Sequence, residues 1–338
     1  MTTPRSTRHA RLLLACLALL SLIAAACGSD LASEAPPATT EAAEAETVDT
    51  EDAMEEEVDE AADDSGDAED AMEEEVVVEE ETEPLRIVSV TPTGTEMLFA
   101  IGAGDQVVAV DAFSYFPAEA PVTDLSGFEP NVEAIAGFDP TLVLSGSPIE
   151  GLEAIGIDNV LLPAAADLDD IYEQIAMLGD VTGTEEGAAT VIADMQARID
   201  TALADISPPA EPLTYYHELD TTFFSVTSST FVGYVYDLFG LDSIADAADP
   251  DGTSFGFPQL SEEFIVTADP DIIFLADTIF EEQTVETVTA RPGWDALSAV
   301  QNNRVVELND DIVSRWGPRI VEFIEAIAAI LAEVDSAS

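Results

Sequence analysis

Short blocks of apolar residues separated by polar ones fill the chain from residue 85 onward. Residues 86–90 alternate between apolar and polar positions, which predicts a strand. The capping-box spacing of Thr93 and Glu96 predicts a helix start before an apolar run that ends at Gly102. Further strands are predicted at 106–110, 142–145 and 160–162, with a helix over 149–155. Strands that alternate with helices are typical of an α/β fold with a mainly parallel sheet.

The pattern of residues 131–144 recurs at residues 261–274. Each copy reads as a short helix, an Asp-Pro pair (Asp139-Pro140 and Asp269-Pro270) and a buried strand. Proline prevents the helix from continuing, and the unbroken apolar run behind it is typical of a strand covered on both faces. Two copies of one pattern predict two α/β lobes of similar architecture.

Between the two copies lies a segment with the period of a helix. Its apolar positions are Ala188, Val191, Ile192, Met195, Ile199, Leu203 and Ile206. Thr184 can cap its start and Pro208-Pro209 ends it, so we expect one helix within 184–207, about 35 Å long. We interpret it as a stiff helix joining an amino-terminal lobe at 84–183 to a carboxy-terminal lobe at 208–338. The alternative is an ordinary surface helix in a single domain.

The chain begins with the pattern of a secretory signal. Three arginines fall within the first eleven residues, residues 12–26 are almost wholly apolar, and small residues precede Cys27. The apolar stretch is shorter than the roughly 20 residues of a membrane-spanning helix. Small residues directly before a cysteine resemble the lipobox of bacterial lipoproteins, in which that cysteine is acylated. We expect a signal peptide at 1–26 and a lipid on Cys27; the alternative is that Cys27 is only a small residue in an apolar run.

Residues 27–83 form an acidic segment of low complexity. From Asp30 to Glu83 it carries 25 acids, no base and no aromatic residue, and an eight-residue stretch beginning at Glu51 recurs at Glu69. This composition cannot bury enough apolar surface to offset chain entropy. It predicts a disordered tether, extended by its like charges, between a lipid anchor and a folded body.

The charge balance excludes one class of function. The chain contains 70 acidic residues against 9 basic ones, and no lysine. Nucleic-acid binding needs clustered Lys and Arg, so we exclude it. An acidic surface suits salty water, where counter-ions screen its self-repulsion, and predicts a melting temperature that rises with added salt.

Catalytic chemistry is restricted by what the chain lacks. His217 is the only histidine after the signal, and no thiol remains if Cys27 is acylated, which argues against Cys–His catalysis and a His-rich zinc site. No resident cofactor or metal is expected. A hydrolase that uses a pair of carboxylates stays open, because acids are abundant.

Three stretches resemble one known family. Residues 125–133, 291–305 and 314–319 are similar in order and spacing to the substrate-binding proteins of ferric-siderophore and cobalamin ABC importers, the class III periplasmic binding proteins. The resemblance covers roughly residues 84–335. It implies two α/β lobes joined by a rigid helix, a ligand held between them, and a membrane permease and its ATPase as partners.

The resemblance also assigns site residues. The family docks on permease arginines with one exposed Glu per lobe, and the matching positions are Glu133 and Glu263, which are equivalent in the internal repeat. The ligand-binding candidates are Tyr115, Phe116, Phe128, His217, Phe257, Asp311, Arg315 and Trp316. For the aromatic residues the alternative is core packing, for Asp311 and Arg315 a local salt bridge, and for His217 a buried hydrogen bond.

We therefore predict a monomeric lipoprotein on the outer face of the cell membrane, not an enzyme. It would capture a bulky metal chelate, either a corrinoid such as cobalamin or a ferric siderophore, and deliver it to the permease. Any iron or cobalt would belong to the ligand. The alternatives are a haem-binding protein of the same fold and a carboxylate-dependent hydrolase outside the cytoplasm.

Overall fold

The computed structural model describes residues 84–204, 206 and 212–337. The predicted signal peptide, Cys27 and the predicted tether lie outside these residues. Within the described part, no helix combines the length and the apolar composition that crossing a membrane requires.

The first half of the described chain builds a five-stranded sheet. Its strands are β1 (Ile87–Ser89), β2 (Val107–Asp111), β3 (Val122–Leu125), β4 (Leu142–Ser145) and β5 (Asp158–Leu161). The helices are α1 (Pro92–Ala100), α2 (Val132–Ala136) and α3 (Leu168–Thr182). All neighbouring strands are parallel, in the spatial order β3-β2-β1-β4-β5. The chain order switches direction between β1 and β4, and open α/β sheets bind ligands outside the carboxyl ends of strands at such a switch.

The long helix α4 (Glu185–Ala204) follows, and a second sheet comes after it. The strands of this sheet are β6 (Thr214–Glu218), β7 (Asp242–Ser243), β8 (Ile272–Leu275) and β9 (Val305–Glu307). The remaining helices are α5 (Phe231–Asp237), α6 (Glu262–Ala268), α7 (Val285–Thr289), α8 (Ser298–Gln301), α9 (Asp310–Val313) and α10 (Ile320–Ala337). The strands are parallel in the order β7-β6-β8-β9. We call residues 84–182 the first lobe and residues 212–337 the second lobe.

The α/β prediction with two sheets is confirmed, and the internal repeat is confirmed in detail. Asn131 caps α2 by accepting from the backbone N–H of Ala134, and Ser261 caps α6 by accepting from that of Phe264. Asp139 and Asp269, each followed by proline, both adopt left-handed backbone angles, with φ of 54° and 48°. The two copies therefore share cap, helix, break and strand.

One continuous core joins the two lobes. Alternate residues of a strand point to opposite faces, so Ile87 of β1 and Phe274 of β8 belong to the same large cluster, together with side chains of α3, α4 and α10. Val88 of β1 and Ile273 of β8 instead face two smaller clusters, one in each lobe. Each fully buried aliphatic or aromatic side chain contributes about 1.5–3 kcal/mol to stability. A shared core opposes large relative movement of the lobes.

Three local predictions need correction. The capping box at Thr93 is wrong: α1 begins at Pro92 behind Thr91, because proline is favourable in the first turn, and Glu96 is a buried residue inside the helix. The helix predicted over 149–155 is only a single 3₁₀ turn at Glu153–Ile155. The long helix is helical over Glu185–Ala204, and its role as a stiff connector, like the lobe boundaries at 183 and 208, stays a prediction.

Candidate functional site

A cavity of ≈ 810 Å³ lies at the carboxyl ends of the strands of both sheets. Its lining comes from residues 90–93 after β1, Asp111 and Phe113 after β2, Gly127 and Phe128 after β3, Gly146 and Ser147 after β4, residues 162–164 after β5, Phe280 after β8, and residues 310–311 and 314–316 after β9. Loops from all five strands of the first sheet thus face loops from two strands of the second. This is where the strand order predicts a ligand.

Aromatic side chains form one wall of this cavity. Phe128 is 86% exposed and meets the ring of Phe113 edge to face, with centroids 6.0 Å apart. A Cβ on Gly127 would stand 2.2 Å from the carbonyl oxygen of Val90, so only glycine lets the β3 loop lie this close to β1. Exposed aromatic rings at a cavity offer large apolar contact to a ligand.

Phe280 is held in the opposite wall by Asp310. The Asp310 carboxylate accepts hydrogen bonds of 2.8–3.0 Å from the backbone N–H groups of Thr278, Ile279 and Phe280. Asp310 caps this turn from the start of α9 and is itself buried. The loop after β8 is therefore fixed in place with an aromatic ring directed at the cavity lining.

An ion-pair cluster connects the lobes beside the cavity. Glu96 of α1 accepts from Nη1 of Arg315 at 2.8 Å and from Nε of Arg319 at 2.8 Å. Nη2 of Arg315 donates to Oδ1 of Asp311 at 2.7 Å. Two carboxylates thus balance two guanidiniums, and the hydrogen bonds are of the charge-assisted kind.

Tyr115 and Phe116 extend this cluster. The Tyr115 hydroxyl donates to Oδ2 of Asp311 at 2.6 Å, and burial together with that bond raises the pKa of Tyr115. The guanidinium of Arg315 lies 5.3 Å from the Tyr115 ring, and that of Arg319 lies 3.8 Å from the Phe116 ring. These two aromatic residues contact the arginines and are not part of the cavity lining.

The other predicted ligand residues fall into two groups. Phe128, Asp311, Arg315 and Trp316 line the cavity. Phe257 is half-exposed outside the lining. His217 is fully buried on β6, its Nδ1 is 2.8 Å from the Tyr236 hydroxyl, and burial lowers its pKa to about 3, so the ring is neutral. That arrangement is the buried hydrogen bond of the alternative interpretation.

Four residues of the site were not identified from the sequence. Asp111, Phe113 and Phe280 line the cavity, and Glu96 holds the arginines. Asp111 carries a local signal, because it is an acid directly at the end of an apolar strand that feeds the ligand edge of the sheet. Glu96 carries none, since its partners lie more than two hundred residues away in the chain.

A second buried acid cluster lies in the second lobe outside the cavity lining. Arg291 binds both carboxylate oxygens of Glu218 at 2.6 Å and stacks 4.6 Å from the ring of Trp294. Asp277 is 1% exposed, and neither of its carboxylate oxygens has a hydrogen-bond partner among the described residues. Burial and the charge of Glu218 raise the pKa of Asp277 to about 8.

Glu133 and Glu263 occupy matching surface positions. Each is the second residue of a short helix, α2 or α6, behind the equivalent caps Asn131 and Ser261. Both are exposed, and neither side chain forms an ion pair within the described residues. Among those residues there is also no cluster of three His, Cys, Asp or Glu side chains that could hold a metal ion.

Two parallel α/β sheets with one cavity at their shared carboxyl edge define a two-lobed solute-binding protein. Residues 87–312 match the model of the periplasmic binding protein family. The chain belongs to this family, and its role is that of the substrate-binding component of an ABC importer.

Similar proteins support this assignment. A cobalamin-binding protein of Halobacterium salinarum is 33% identical over 256 residues, covering 72% of this chain and 68% of that protein. An uncharacterised ABC transporter substrate-binding lipoprotein of Bacillus subtilis is 28% identical over 73% of this chain and 79% of its own. The crystal structure of a periplasmic vitamin B12 binding protein of Vibrio cholerae superposes with a TM-score of 0.60 at 25% identity, over 74% of this chain and 97% of that one.

Proposed function

We propose that this protein captures a corrinoid outside the cytoplasm and passes it unchanged to the permease of an ABC importer. The observation that carries the proposal is the aromatic-walled cavity of ≈ 810 Å³ between the strand ends. Its volume suits a bulky, largely apolar ring, and the Phe113–Phe128 pair offers such a ring broad contact. The similarity to the cobalamin-binding protein of Halobacterium salinarum points to the same ligand class.

The corrinoid is favoured over a ferric siderophore by the charges near the cavity. Many ferric siderophores and haem carry negative charge, whereas Arg315 and Arg319 are already balanced by Glu96 and Asp311. A ligand with several carboxylates would find no free guanidinium in this cluster. Neutral corrinoids do not require one.

Ligand capture is tested by mixing the purified protein with cyanocobalamin, cobinamide, haem and a ferric hydroxamate in separate samples. We expect the corrinoids to co-elute in gel filtration and to raise the melting temperature. A ligand at a hundred times its Kd adds about 2.7 kcal/mol to the free energy of unfolding. A shift with haem or the hydroxamate alone would contradict the corrinoid assignment.

The same sample tests for catalysis. The cavity contains the carboxylates of Asp111, Asp310 and Asp311, so the hydrolase alternative has acids available to it. A binding protein returns its ligand intact, and chromatography of the released corrinoid after prolonged incubation should give a single unchanged species. Any conversion that scales with protein concentration would favour an enzyme.

Membrane attachment through a lipid on Cys27 is a further part of the proposal. The small residues before Cys27 support it, as does the predicted acidic tether, which would let the body reach a permease in the same membrane. Replacing Cys27→Ser should release the protein into the soluble fraction while leaving corrinoid affinity unchanged. The body is expected to act as a monomer, which light scattering with and without ligand checks.

A further inference from the structure

Asp111 is the cavity-lining acid that the described residues leave unsatisfied. It ends β2, is 1% exposed, and its Oδ1 is enclosed without a hydrogen-bond partner. The other two cavity acids are occupied: Asp310 by backbone N–H groups and Asp311 by Arg315. A buried acceptor without a donor is costly, so a donor from the ligand would stabilise this site.

Trp316 shows the opposite deficiency on the side of the second lobe. Its side chain lines the same cavity, and its Nε1–H is buried without an acceptor in the described part of the chain. Indole nitrogen can only donate. The cavity therefore holds one unsatisfied acceptor, from the first lobe, and one unsatisfied donor, from the second.

No cation is free to receive an anionic ligand group. Arg315 is the only basic residue lining the cavity within the described ranges, and its guanidinium is bound by Glu96 and Asp311. A ligand carboxylate could not donate to Asp111 and would add negative charge beside it. A primary amide is neutral and carries both a donor and an acceptor.

We propose that Asp111 and Trp316 select a ligand by its neutral primary amide side chains, and that the cavity rejects the same ring when those amides are hydrolysed to carboxylates. The inference rests on the proposed function, since a corrin ring carries such amides around its edge. It adds the chemical feature that the site reads. The N–H of the amide would donate to Asp111, and its carbonyl oxygen would accept from Trp316.

Two ligands with the same ring and metal test this inference. Cobinamide keeps the side-chain amides, and cobyrinic acid carries carboxylates in their place. Calorimetry with the unaltered protein should show cobinamide binding at least about 100-fold tighter, because several amide contacts are lost together. Equal affinity for the two ligands would overturn the proposal. Binding of neither would instead overturn the proposed function itself.

Variants then assign the selection to the two residues. Asp111→Ala should weaken cobinamide about 10–100-fold and narrow its preference over cobyrinic acid, whereas Trp316→Phe, which keeps an aromatic ring, should cost about 3–10-fold. Asp124→Ala is the control: this exposed acid on β3 makes the same change in net charge and should leave both affinities unchanged. Melting temperatures without ligand establish that each variant is folded.

The isosteric change Asp111→Asn gives a second measurement if Asp111→Ala does not fold. It removes the negative charge and keeps an acceptor, so cobyrinic acid should bind more tightly than to the unaltered protein while cobinamide changes little. An unchanged ratio of the two affinities in Asp111→Asn would show that Asp111 does not select the ligand.

Discussion

Glu96 accepts a hydrogen bond of 2.8 Å from Nε of Arg319, although the two residues are 223 positions apart in the chain. The acid lies in α1 of the first lobe and is 4% exposed, and its other oxygen is bound by Arg315. Both arginines belong to the second lobe. One carboxylate therefore ties the lobes together next to the cavity, in addition to their shared core.

The first prediction is that Glu96→Gln strongly destabilises the fold. The change leaves two buried guanidiniums without their shared counter-charge, and breaking a buried ion pair from one side costs about 3–5 kcal/mol. Urea unfolding monitored by tryptophan fluorescence should show a lower midpoint with an unchanged slope.

Glu325→Gln is the matched control for that measurement. Glu325 pairs with Arg198 at 2.8 Å, but both side chains are partly exposed on the surface of α4 and α10. Exposed pairs of this kind contribute about 0–1 kcal/mol. Equal losses in the two variants would mean that the buried cluster has no special stabilising role.

The second prediction concerns Asp277 and pH. Burial and the charge of Glu218 raise the pKa of Asp277 to about 8, against about 3.9 in an unfolded chain. Between these values the folded state binds a proton that the unfolded state lacks, so this residue makes stability fall as pH rises. Asp277→Asn removes the titration. Its free energy of unfolding relative to the unaltered protein should increase steadily from about pH 4 to pH 8.

Unfolding curves at pH 5, 6, 7 and 8 measure this difference. Asp124→Asn on the exposed surface should run parallel to the unaltered protein over the same range. A parallel course for Asp277→Asn as well would show that the Asp277 carboxyl is ionised in the folded protein.

Local patterns along the chain predicted the fold, and they failed where distant residues meet. The copies at 131–144 and 261–274 were predictable because cap, Asp-Pro break and strand follow one another directly. The start of α1 was misassigned because Thr93 and Glu96 have capping-box letters, yet Glu96 is needed inside the helix by arginines of the other lobe. No spacing rule connects residues so far apart. The cavity residues Asp111 and Phe280 were missed for the same reason.

The third prediction tests the close approach of the loops after β1 and β3. In Gly127→Ala the new methyl group would meet the carbonyl oxygen of Val90 at 2.2 Å, so the backbone must shift. Overpacking of this kind costs about 1–3 kcal/mol, and the displaced loop carries Phe128. The melting temperature and the corrinoid affinity should both fall. Gly146→Ala is the control, since its Cβ would only reach ordinary contact, 3.8 Å from Leu162.

The last prediction concerns the permease. Glu133 and Glu263 occupy the same position of equivalent helices, are exposed, and make no ion pair within the described residues, so both are available to guanidiniums of a partner. Paired carboxylate–arginine contacts fix orientation as well as affinity. The double change Glu133→Gln with Glu263→Gln should reduce corrinoid uptake by cells carrying the native importer at least about tenfold, with ligand affinity unchanged.

Two comparisons decide between docking and a general effect of charge. Glu185→Gln with Glu186→Gln removes the same two charges from exposed positions in the first turn of α4, and uptake should stay normal. Each single change, at Glu133 or at Glu263, should give an intermediate loss, because the repeat places one contact on each lobe. If the α4 variant loses uptake equally, the acidic surface as a whole attracts the permease and the two glutamates have no specific role. If instead the Glu133 and Glu263 double variant loses corrinoid affinity, these residues act through the binding site and the docking assignment is wrong.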